Sequence, residues 1–364
     1  MKTVHVELGE RSYDVRIEAG ALKHLSGHLK AIKDLPTRGV IVWNARVRRL
    51  YGNVLLAHLN GSCWEIHPIE IPEGEKAKTL KVAEKIYHQM LALKLTRHCF
   101  VIALGGGVTG DLAGYVAATY LRGVPFVQVP TTLLAHVDSS VGGKVAVNLK
   151  EGKNLIGCFY QPKLVVIDPE CLKTLSLREF KCGMAEVLKY GFIWDRNFFN
   201  YLLDHSEKIK KLDPKCLETI IEKSVRIKAE VVSKDERETG LRAHLNFGHT
   251  FGHSIEKTWN YKTFTHGEAV AIGMKMACDY SRENGFFPEE EWKQALRIFS
   301  EYELKTSVPK NRLPKIFDNL WFDKKTSEEG LNFILIRKIG EVFKTKVDEA
   351  SMKNFVTRRD RGGS

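Results

Sequence analysis

The chain has 364 residues, of which 43% are hydrophobic and 27% are charged. These proportions are ordinary for globular proteins and exclude a disordered or fibrous chain. The formal net charge is +12, but the basic residues are spread along the chain, so charge alone does not predict nucleic-acid binding.

No segment has the features of an export signal or a membrane span. The first residues, MKTVHVELGERSYDV, alternate like a strand, and no run approaches the about 18 apolar residues of a membrane helix. Seven cysteines are scattered without Cys-x-x-Cys pairs, which is typical of reduced thiols. We therefore expect a cytoplasmic protein with no membrane partner.

Residues 1–170 alternate short apolar runs with helical stretches. The runs are rich in β-branched residues and read VHVEL, GVIVW, CFVIAL, PFVQVP and KLVVID. Continuous apolar strands separated by helices predict a buried, mainly parallel sheet. This part of the chain is therefore predicted to be an α/β nucleotide-binding domain.

Residues 171–357 have a different character. Segments 214–236 and 289–304 have helical spacing, and LNFILIRKIGEVFKTKV predicts a late hairpin. We expect a mainly α-helical metal-binding domain over 171–357, with the active site in the cleft between the domains. Residues 358–364 are predicted to be a disordered tail.

A glycine loop lies between a predicted strand and helix in CFVIALGGGVTGDLAGYVAATYLRG. Gly105, Gly107 and Gly110 match the Gly-x-Gly-x-x-Gly spacing, which lets backbone N–H groups approach a pyrophosphate. No acidic residue ends the next strand, as the dinucleotide fingerprint requires, so a packing role alone stays an alternative. Thr131 and Thr132 follow that strand, at the end where α/β sheets bind ligands.

Polar and basic residues cluster in the segment DSSVGGKVAVNLKEGKN. Asp138, Lys144, Lys153 and Asn154 lie among glycines, and this combination suits a phosphate or a polyol. Arg122, at the end of the loop helix, adds a bidentate anion donor. The alternative interpretation is a surface loop with solvated lysines.

Residues able to hold a metal occur in three helical segments. His249 and His253 are four residues apart on one predicted helix face, and His266 opens the next helix. Glu186 lies on a third helix, with Lys189 on the same face. Histidines with a carboxylate suit zinc or a similar ion, although each single histidine could instead be structural.

Lys228 falls on the apolar stripe of the helix that begins at Pro214. Because lysine is rarely buried without a partner, we expect Lys228 to meet an anion; the alternative is a side chain extended to solvent. The other stripe residues are Leu217, Ile221, Val225 and Val232.

Six segments occur in order: GGGVTGDLAG, VPTTLLAHVDSSVGGK, GKNLIG, AEVLKYG, LNFGHTFGH and HGEAVAIGM. Together they resemble the 3-dehydroquinate synthase family of sugar-phosphate cyclases, over roughly residues 70–280. The resemblance implies a lyase of the shikimate pathway that uses NAD and one divalent metal, zinc or cobalt. Its substrate would be 3-deoxy-D-arabino-heptulosonate 7-phosphate, and its products 3-dehydroquinate and phosphate. The steps would be transient oxidation by NAD, β-elimination of phosphate, re-reduction, ring opening and aldol cyclisation.

The resemblance also implies a role for individual residues, and a homodimer in which Arg122 reaches the partner's site. The implied metal ligands are Glu186, His249 and His266. The implied catalytic residues are His253, Lys144, Asn154, Lys189, Lys228, Arg242 and Asn246. Further substrate contacts would be Arg122, Asp138, Lys153 and Lys325. The implied NAD contacts are Glu75, Lys78, Gly106, Gly107, Val108, Asp111, Thr131, Thr132, Lys144, Lys153, Thr174, Leu175 and Glu179.

The sequence departs from the family pattern at Asn44–Arg46, at Val145 and at Cys171, which concern cofactor affinity or packing. Related cyclases of the aminodehydroquinate, 2-deoxy-scyllo-inosose or valiolone type remain alternatives. A metal-dependent polyol dehydrogenase is a further alternative, but it gives no reason for the lysine cluster. A nucleic-acid-binding protein gives no reason for the Glu–His–His set, so we expect no nucleic-acid partner.

Overall fold

The structure is a computed structural model that describes residues 1–60, 62–322 and 331–360. The chain forms two compact units. The first comprises Met1–Leu175 and Leu217–Arg237; the second comprises Ser176–Cys216 and the described residues from Glu238 onward. No described helix has the length and apolar character that crossing a membrane requires, and the seven cysteines form no disulfide.

The strands, in chain order, are β1 (Lys2–Val6), β2 (Tyr13–Ile17), β3 (Arg38–Asn44), β4 (Glu65–Ile71), β5 (Phe100–Gly105), β6 (Phe126–Pro130), β7 (Lys144–Val147), β8 (Ile156–Phe159), β9 (Leu164–Ile167), β10 (Leu331–Lys338) and β11 (Glu341–Val347). The first helices are α1 (Leu25–Lys30), α2 (Ala45–Val47), α3 (Asn53–Asn60), α4 (Leu80–Ala92), α5 (Gly107–Thr119), α6 (Leu177–Ile193) and α7 (Arg196–Asp204). The later helices are α8 (Ser206–Lys210), α9 (Pro214–Lys234), α10 (His249–Thr258), α11 (His266–Glu283), α12 (Glu289–Glu301), α13 (Leu313–Phe322) and α14 (Glu349–Asp360).

A seven-stranded sheet organises the first unit, in the order β1-β2-β9-β6-β5-β3-β4. Only the β1–β2 pairing is antiparallel among the strands of this sheet. The prediction of a mainly parallel sheet is therefore confirmed, and each of the five predicted runs overlaps a strand. The sequence did not predict β4, which contains Pro68. This strand lies at the sheet edge, where proline is tolerated because one side needs no ladder hydrogen bond.

Both faces of the sheet are buried, as β5 shows. Phe100, Ile102 and Leu104 pack on one side with residues of α1 and α3. Val101 and Ala103 pack on the other side with residues of α4 and α5. Successive strand residues point to opposite faces, so a strand covered on both sides is apolar throughout. This packing fixes the strand ends from which the glycine loop and Thr131 extend.

Helix α9 belongs to the first unit, which differs from the expected division after residue 170. Its predicted stripe is buried: Leu217, Ile221, Val225 and Val232 are at most 3% exposed. Helical spacing predicts which face is buried but not which part of the chain covers it. The chain thus leaves the first unit after residue 175 and returns to it for one helix.

The second unit contains α6, α10 and α11 and the predicted hairpin, which forms as the antiparallel pair β10–β11. The predicted disordered tail, residues 358–364, was wrong for its first three residues, because α14 continues to Asp360. Buried Met352, Phe355 and Val356 attach this helix to the unit. Residues 361–364 lie outside the described residues.

Candidate active site

Three helices of the second unit bring Glu186, His249 and His266 together. Glu186 lies in the middle of α6 and is fully buried, whereas the two histidines are the first residues of α10 and α11. The start of α11 is fixed by a capping box, in which Thr265 and Glu268 exchange side-chain and backbone hydrogen bonds. Each ligand candidate therefore sits on a defined helical position.

The distances within this group suit a metal ion. Glu186 Oε1 lies 3.6 Å from His249 Nε2 and 3.7 Å from His266 Nε2. Ligands about 2.1 Å from a tetrahedral zinc would be roughly 3.4 Å apart. Neither carboxylate oxygen of Glu186 receives a hydrogen bond of good geometry from the described residues. The three donor groups therefore fit one divalent ion.

The charges around Glu186 also suit metal binding. Burial lowers the pKa of His249 well below its ordinary value, and the Lys189 ammonium lowers it further. His249 is thus neutral, as a ligand must be, and its Nδ1 lies 3.2 Å from the Phe247 carbonyl oxygen. Nδ1–H donates to that carbonyl, so Nε2 keeps its lone pair. Lys189 pairs with Glu186 and balances its buried charge.

Other predicted catalytic residues lie in the same unit. His253 is exposed, and its ring centroid is 5.6 Å from that of His249 and 6.2 Å from that of His266. Arg242 is buried at 2% exposure, and the Asn246 amide donates to Glu238. His253 is therefore a solvent-exposed neighbour of His249 and His266.

The predicted glycine loop forms in the first unit as strand, turn and helix. Gly106 precedes α5, and no side chain caps the N-terminus of this helix among the described residues. Its first N–H groups can therefore bind an anion. Packing also favours one of these glycines, because a β-carbon on Gly110 would lie 2.6 Å from Gln128 Oε1 and displace this buried side chain. The packing interpretation therefore applies to Gly110, and nucleotide binding by the loop stays a prediction.

Predicted cofactor and substrate residues form a hydrogen-bonded network beside this loop. The Lys78 ammonium binds both Asp111 and the Asn154 side-chain oxygen. Burial raises the pKa of Asp111, and the Lys78 charge opposes that rise. Asn148 joins Asn154 to Glu75, since it accepts from the Asn154 N–H at 2.9 Å and donates to Glu75 at 2.7 Å.

Lys228 meets an anion, as its place on the apolar stripe of α9 predicted. Its ammonium lies 2.7 Å from Asp138 Oδ1 and also donates to the Asp138 carbonyl oxygen. Lys228 is 6% exposed, so the solvent-extended alternative was wrong. Two residues expected to contact substrate are therefore in direct contact with each other.

The remaining predicted residues are distributed more widely. Lys144 begins β7 and is exposed, and Lys153 is half-buried in the turn before β8. Thr131 follows β6 and is buried, and Thr132 accepts from the Ala135 N–H at 3.2 Å. The Thr174 hydroxyl contacts Tyr51 and the Cys171 carbonyl oxygen. The other positions fall in three places: Gly107 and Val108 in the first turn of α5, Leu175 just before α6, and Glu179 in the first turn of α6. Lys325 lies outside the described residues.

Comparison with known proteins decides the family. The family model described as the N-terminal part of 3-dehydroquinate synthase matches residues 68–182, and the C-terminal model matches residues 183–326. A curated 3-dehydroquinate synthase from Desulforamulus reducens is 46% identical over 94% of this chain and 95% of its own length. The chain belongs to the 3-dehydroquinate synthase family. The family and fold expected from the six segments are thereby confirmed.

Two solved cyclase structures are similar over nearly the whole chain. One is 2-epi-5-epi-valiolone synthase from Streptomyces hygroscopicus subsp. jinggangensis with NAD⁺ and Zn²⁺ bound. It is 30% identical, with a TM-score of 0.87, and the match covers 98% of this chain and 99% of that one. The other is 2-deoxy-scyllo-inosose synthase complexed with carbaglucose-6-phosphate, NAD⁺ and Co²⁺. It is 27% identical, with a TM-score of 0.88 and the same coverage. The two-unit architecture of the 3-dehydroquinate synthase family is therefore shared with these related cyclases.

Several residues of the candidate site were not predicted from the sequence. Asn148 links the network around Lys78, and Glu256 is a buried carboxylate beside His266. Arg178 of α6 binds Glu268 of α11 through two nitrogens at 3.0 and 2.7 Å. The segment THGE carries a signal for the start of α11, because glutamate three residues after threonine predicts a capping box, but it does not predict the contact with Arg178. No sequence pattern signals the position of Glu256.

Proposed function

We propose that this chain converts 3-deoxy-D-arabino-heptulosonate 7-phosphate into 3-dehydroquinate and phosphate. The observation that carries the proposal is the group of Glu186, His249 and His266, whose facing donor atoms lie within 4.8 Å of one another. Family membership supports it, because the curated relatives at 44–46% identity are 3-dehydroquinate synthases. The ligand assignment itself stays a prediction.

NAD and one Zn²⁺ or Co²⁺ are the proposed cofactors, as in the two similar cyclase structures. When bound, NAD accepts and returns a hydride, and the metal polarises the oxygen at the reacting carbon. Glu186, His249 and His266 would hold the metal. Gly106, Gly107 and the first turn of α5 would hold the NAD pyrophosphate through backbone N–H groups.

The basic residues would bind the substrate's phosphate and carboxylate. Asp138 holds Lys228 in place, because its carboxylate and its carbonyl oxygen each accept a hydrogen bond from the Lys228 ammonium. Lys144 and Lys153 add positive charge in the first unit, and Arg242 in the second. Fixed positive groups favour the departure of phosphate as a dianion, which a polyol dehydrogenase would not need.

The 3-dehydroquinate activity is favoured over the sister cyclase activities. The valiolone and scyllo-inosose synthases are 30% and 27% identical to this chain, compared with 46% for a 3-dehydroquinate synthase. Lys228, Arg242, Asn246 and His253 also keep the identities that the resemblance assigns to the dehydroquinate activity. An aminodehydroquinate substrate remains the second candidate.

Phosphate release tests the proposed activity. The purified chain, with NAD and Zn²⁺, is expected to release one phosphate per 3-dehydroquinate formed from the heptulosonate phosphate, without net NADH absorbance. A chelator should lower the rate at least about 100-fold, because the metal stabilises developing charge, and added Zn²⁺ should restore it. Glucose 6-phosphate serves as the control substrate. Absence of phosphate release, or accumulation of NADH, would contradict the proposal.

A homodimer with Arg122 contributed across the interface is also proposed. All four residues of β8 are exposed, and β8 pairs only with β7 among the described strands. The Tyr160 hydroxyl donates to the Val124 carbonyl oxygen at 2.8 Å, so the end of β8 lies near Arg122. Leu121 is also exposed there. Exposed apolar residues beside an expected cross-subunit arginine support an interface at this surface.

Sedimentation tests the proposed dimer. The unmodified chain should sediment at twice its mass of 41.4 kDa. Phe159→Glu, on β8, should shift it toward the monomer because a buried charge opposes association, and phosphate release should fall in parallel. Leu91→Glu, at an exposed leucine on α4, is the matched control and should change neither. A monomeric unmodified chain would refute this part of the proposal.

A further inference from the structure

Glu256 is a buried carboxylate that the proposed reaction does not use. It lies on α10, is 4% exposed, and its Oε2 is 3.4 Å from His266 Nδ1. A buried carboxylate costs free energy unless donors compensate for its lost hydration. A carboxylate at this position therefore needs hydrogen-bonding partners. The His266 ring is one of them, and its other ring nitrogen faces Glu186.

The two nitrogens of His266 face different carboxylates. Nε2 lies 3.7 Å from Glu186 Oε1, while Nδ1 lies 3.4 Å from Glu256 Oε2. An acceptor at Nδ1 selects the tautomer that carries its proton there, which leaves the Nε2 lone pair for a metal. At His249 the corresponding acceptor is the Phe247 carbonyl oxygen, 3.2 Å from Nδ1. Each of the two histidines thus has its own acceptor.

His266 has more need of such an acceptor than His249. The His266 side chain is 31% exposed, whereas that of His249 is 11% exposed. Packing therefore restricts the His249 ring, but leaves one side of the His266 ring open to solvent. Both rings stand at the first residue of a helix, so the difference between them lies in the packing around each ring. A hydrogen bond from Nδ1 to Glu256 therefore limits rotation about the His266 side-chain bonds.

We propose that Glu256 is a positioning residue that acts through His266. It holds the ring orientation and the tautomer in which Nε2 is the metal ligand, and it increases the electron density on that nitrogen. The proposal rests on the metal centre of the proposed function. It differs from a second possibility that the same atoms raise, because His253, Glu256 and His266 also form a group of donors within 4.8 Å of one another. In that case Glu256 would itself be a ligand, of a second ion.

Cobalt titration of the full-length protein distinguishes these possibilities without measuring activity. The unmodified chain is expected to bind one Co²⁺ per chain, with a visible absorption band that reports ligand geometry. Glu256→Gln should weaken Co²⁺ binding by about 10–100-fold and shift the band, at an unchanged stoichiometry of one. Glu256→Asp, which keeps the charge, should recover part of the affinity. Asp279→Asn is the matched control, since Asp279 is a buried carboxylate on α11 that binds Lys275 and Trp292 instead.

A double variant tests whether Glu256 acts through His266. If it does, adding Glu256→Gln to His266→Ala should weaken the residual Co²⁺ binding by less than about twofold, because the shared interaction is already lost. Unchanged affinity and spectrum in Glu256→Gln would overturn the proposal. A second bound Co²⁺ that disappears in Glu256→Gln would overturn it in favour of a ligand role. If the unmodified chain bound no Co²⁺, the metal centre of the proposed function would fail, and this inference with it.

Discussion

Replacing His266 with alanine is expected to abolish tight metal binding, whereas replacing His253 with alanine is expected to leave it nearly unchanged. His266 Nε2 faces Glu186 Oε1 at 3.7 Å, so its loss leaves two protein donors where three would hold a zinc ion. His253 is exposed, and the donor group of Glu186 does not include it. We expect a loss of at least about 100-fold in affinity for His266→Ala, and of less than threefold for His253→Ala, by the same ligand count.

Phosphate release at saturating metal tests the separate role of His253. His253→Ala should then still lose most of its phosphate release, by about 10²–10⁴-fold, as expected for a group that transfers or holds a proton. Metal content by mass spectrometry and Co²⁺ absorption measure the first effect, and a phosphate assay at excess Zn²⁺ measures the second. Equal loss of metal in both variants would show that the ligand assignment is incorrect. His58→Ala, at an exposed histidine on α3, controls for the general loss of an imidazole.

The positions of the ligand candidates show what local spacing can predict. Residues four apart share a helix face, so spacing alone would have paired His249 with His253. In the structure His249 is buried and faces Glu186, while His253 stays exposed. The difference arises because α11 packs against α10 and against α6, and Glu186 of α6 faces the first residue of α10. Periodicity within one helix does not contain that information. The resemblance of the ordered segments grouped Glu186, His249 and His266, and their role as metal ligands stays a prediction.

The remaining differences have the same physical origin. The apolar stripe of α9 predicted its buried face and an anionic partner for Lys228, and both are present. It did not predict that the covering residues belong to the first unit. Glu256 was missed because an acidic residue late in a polar helix has no periodic signature. Its proposed role depends on its contact with His266, which lies on another helix.

Gly267→Ala is expected to destabilise the second unit and to weaken metal binding. A β-carbon at this position would lie 2.1 Å from the Cys182 carbonyl oxygen and 2.6 Å from the Cys182 carbonyl carbon and Cα. These are backbone atoms of α6, which cannot rotate away as a side chain can. The start of α11 would have to move from α6 by roughly 1 Å, and overpacking of this kind costs about 1–3 kcal/mol.

This displacement would change the distance between the candidate metal ligands Glu186 and His266. Gly267 follows His266, and Cys182 lies one helical turn before Glu186, so the same movement would separate the two ligand candidates. Chemical unfolding in the presence of a chelator isolates the packing cost, and Co²⁺ titration measures the effect on the site. Gly27→Ala is the matched control, because Gly27 lies in α1 and no atom is within 4 Å of its β-carbon position; it should be neutral or stabilising by less than about 1 kcal/mol. A Gly267→Ala protein with unchanged Co²⁺ affinity and absorption would show that the approach of α11 to α6 does not set the spacing of Glu186 and His266.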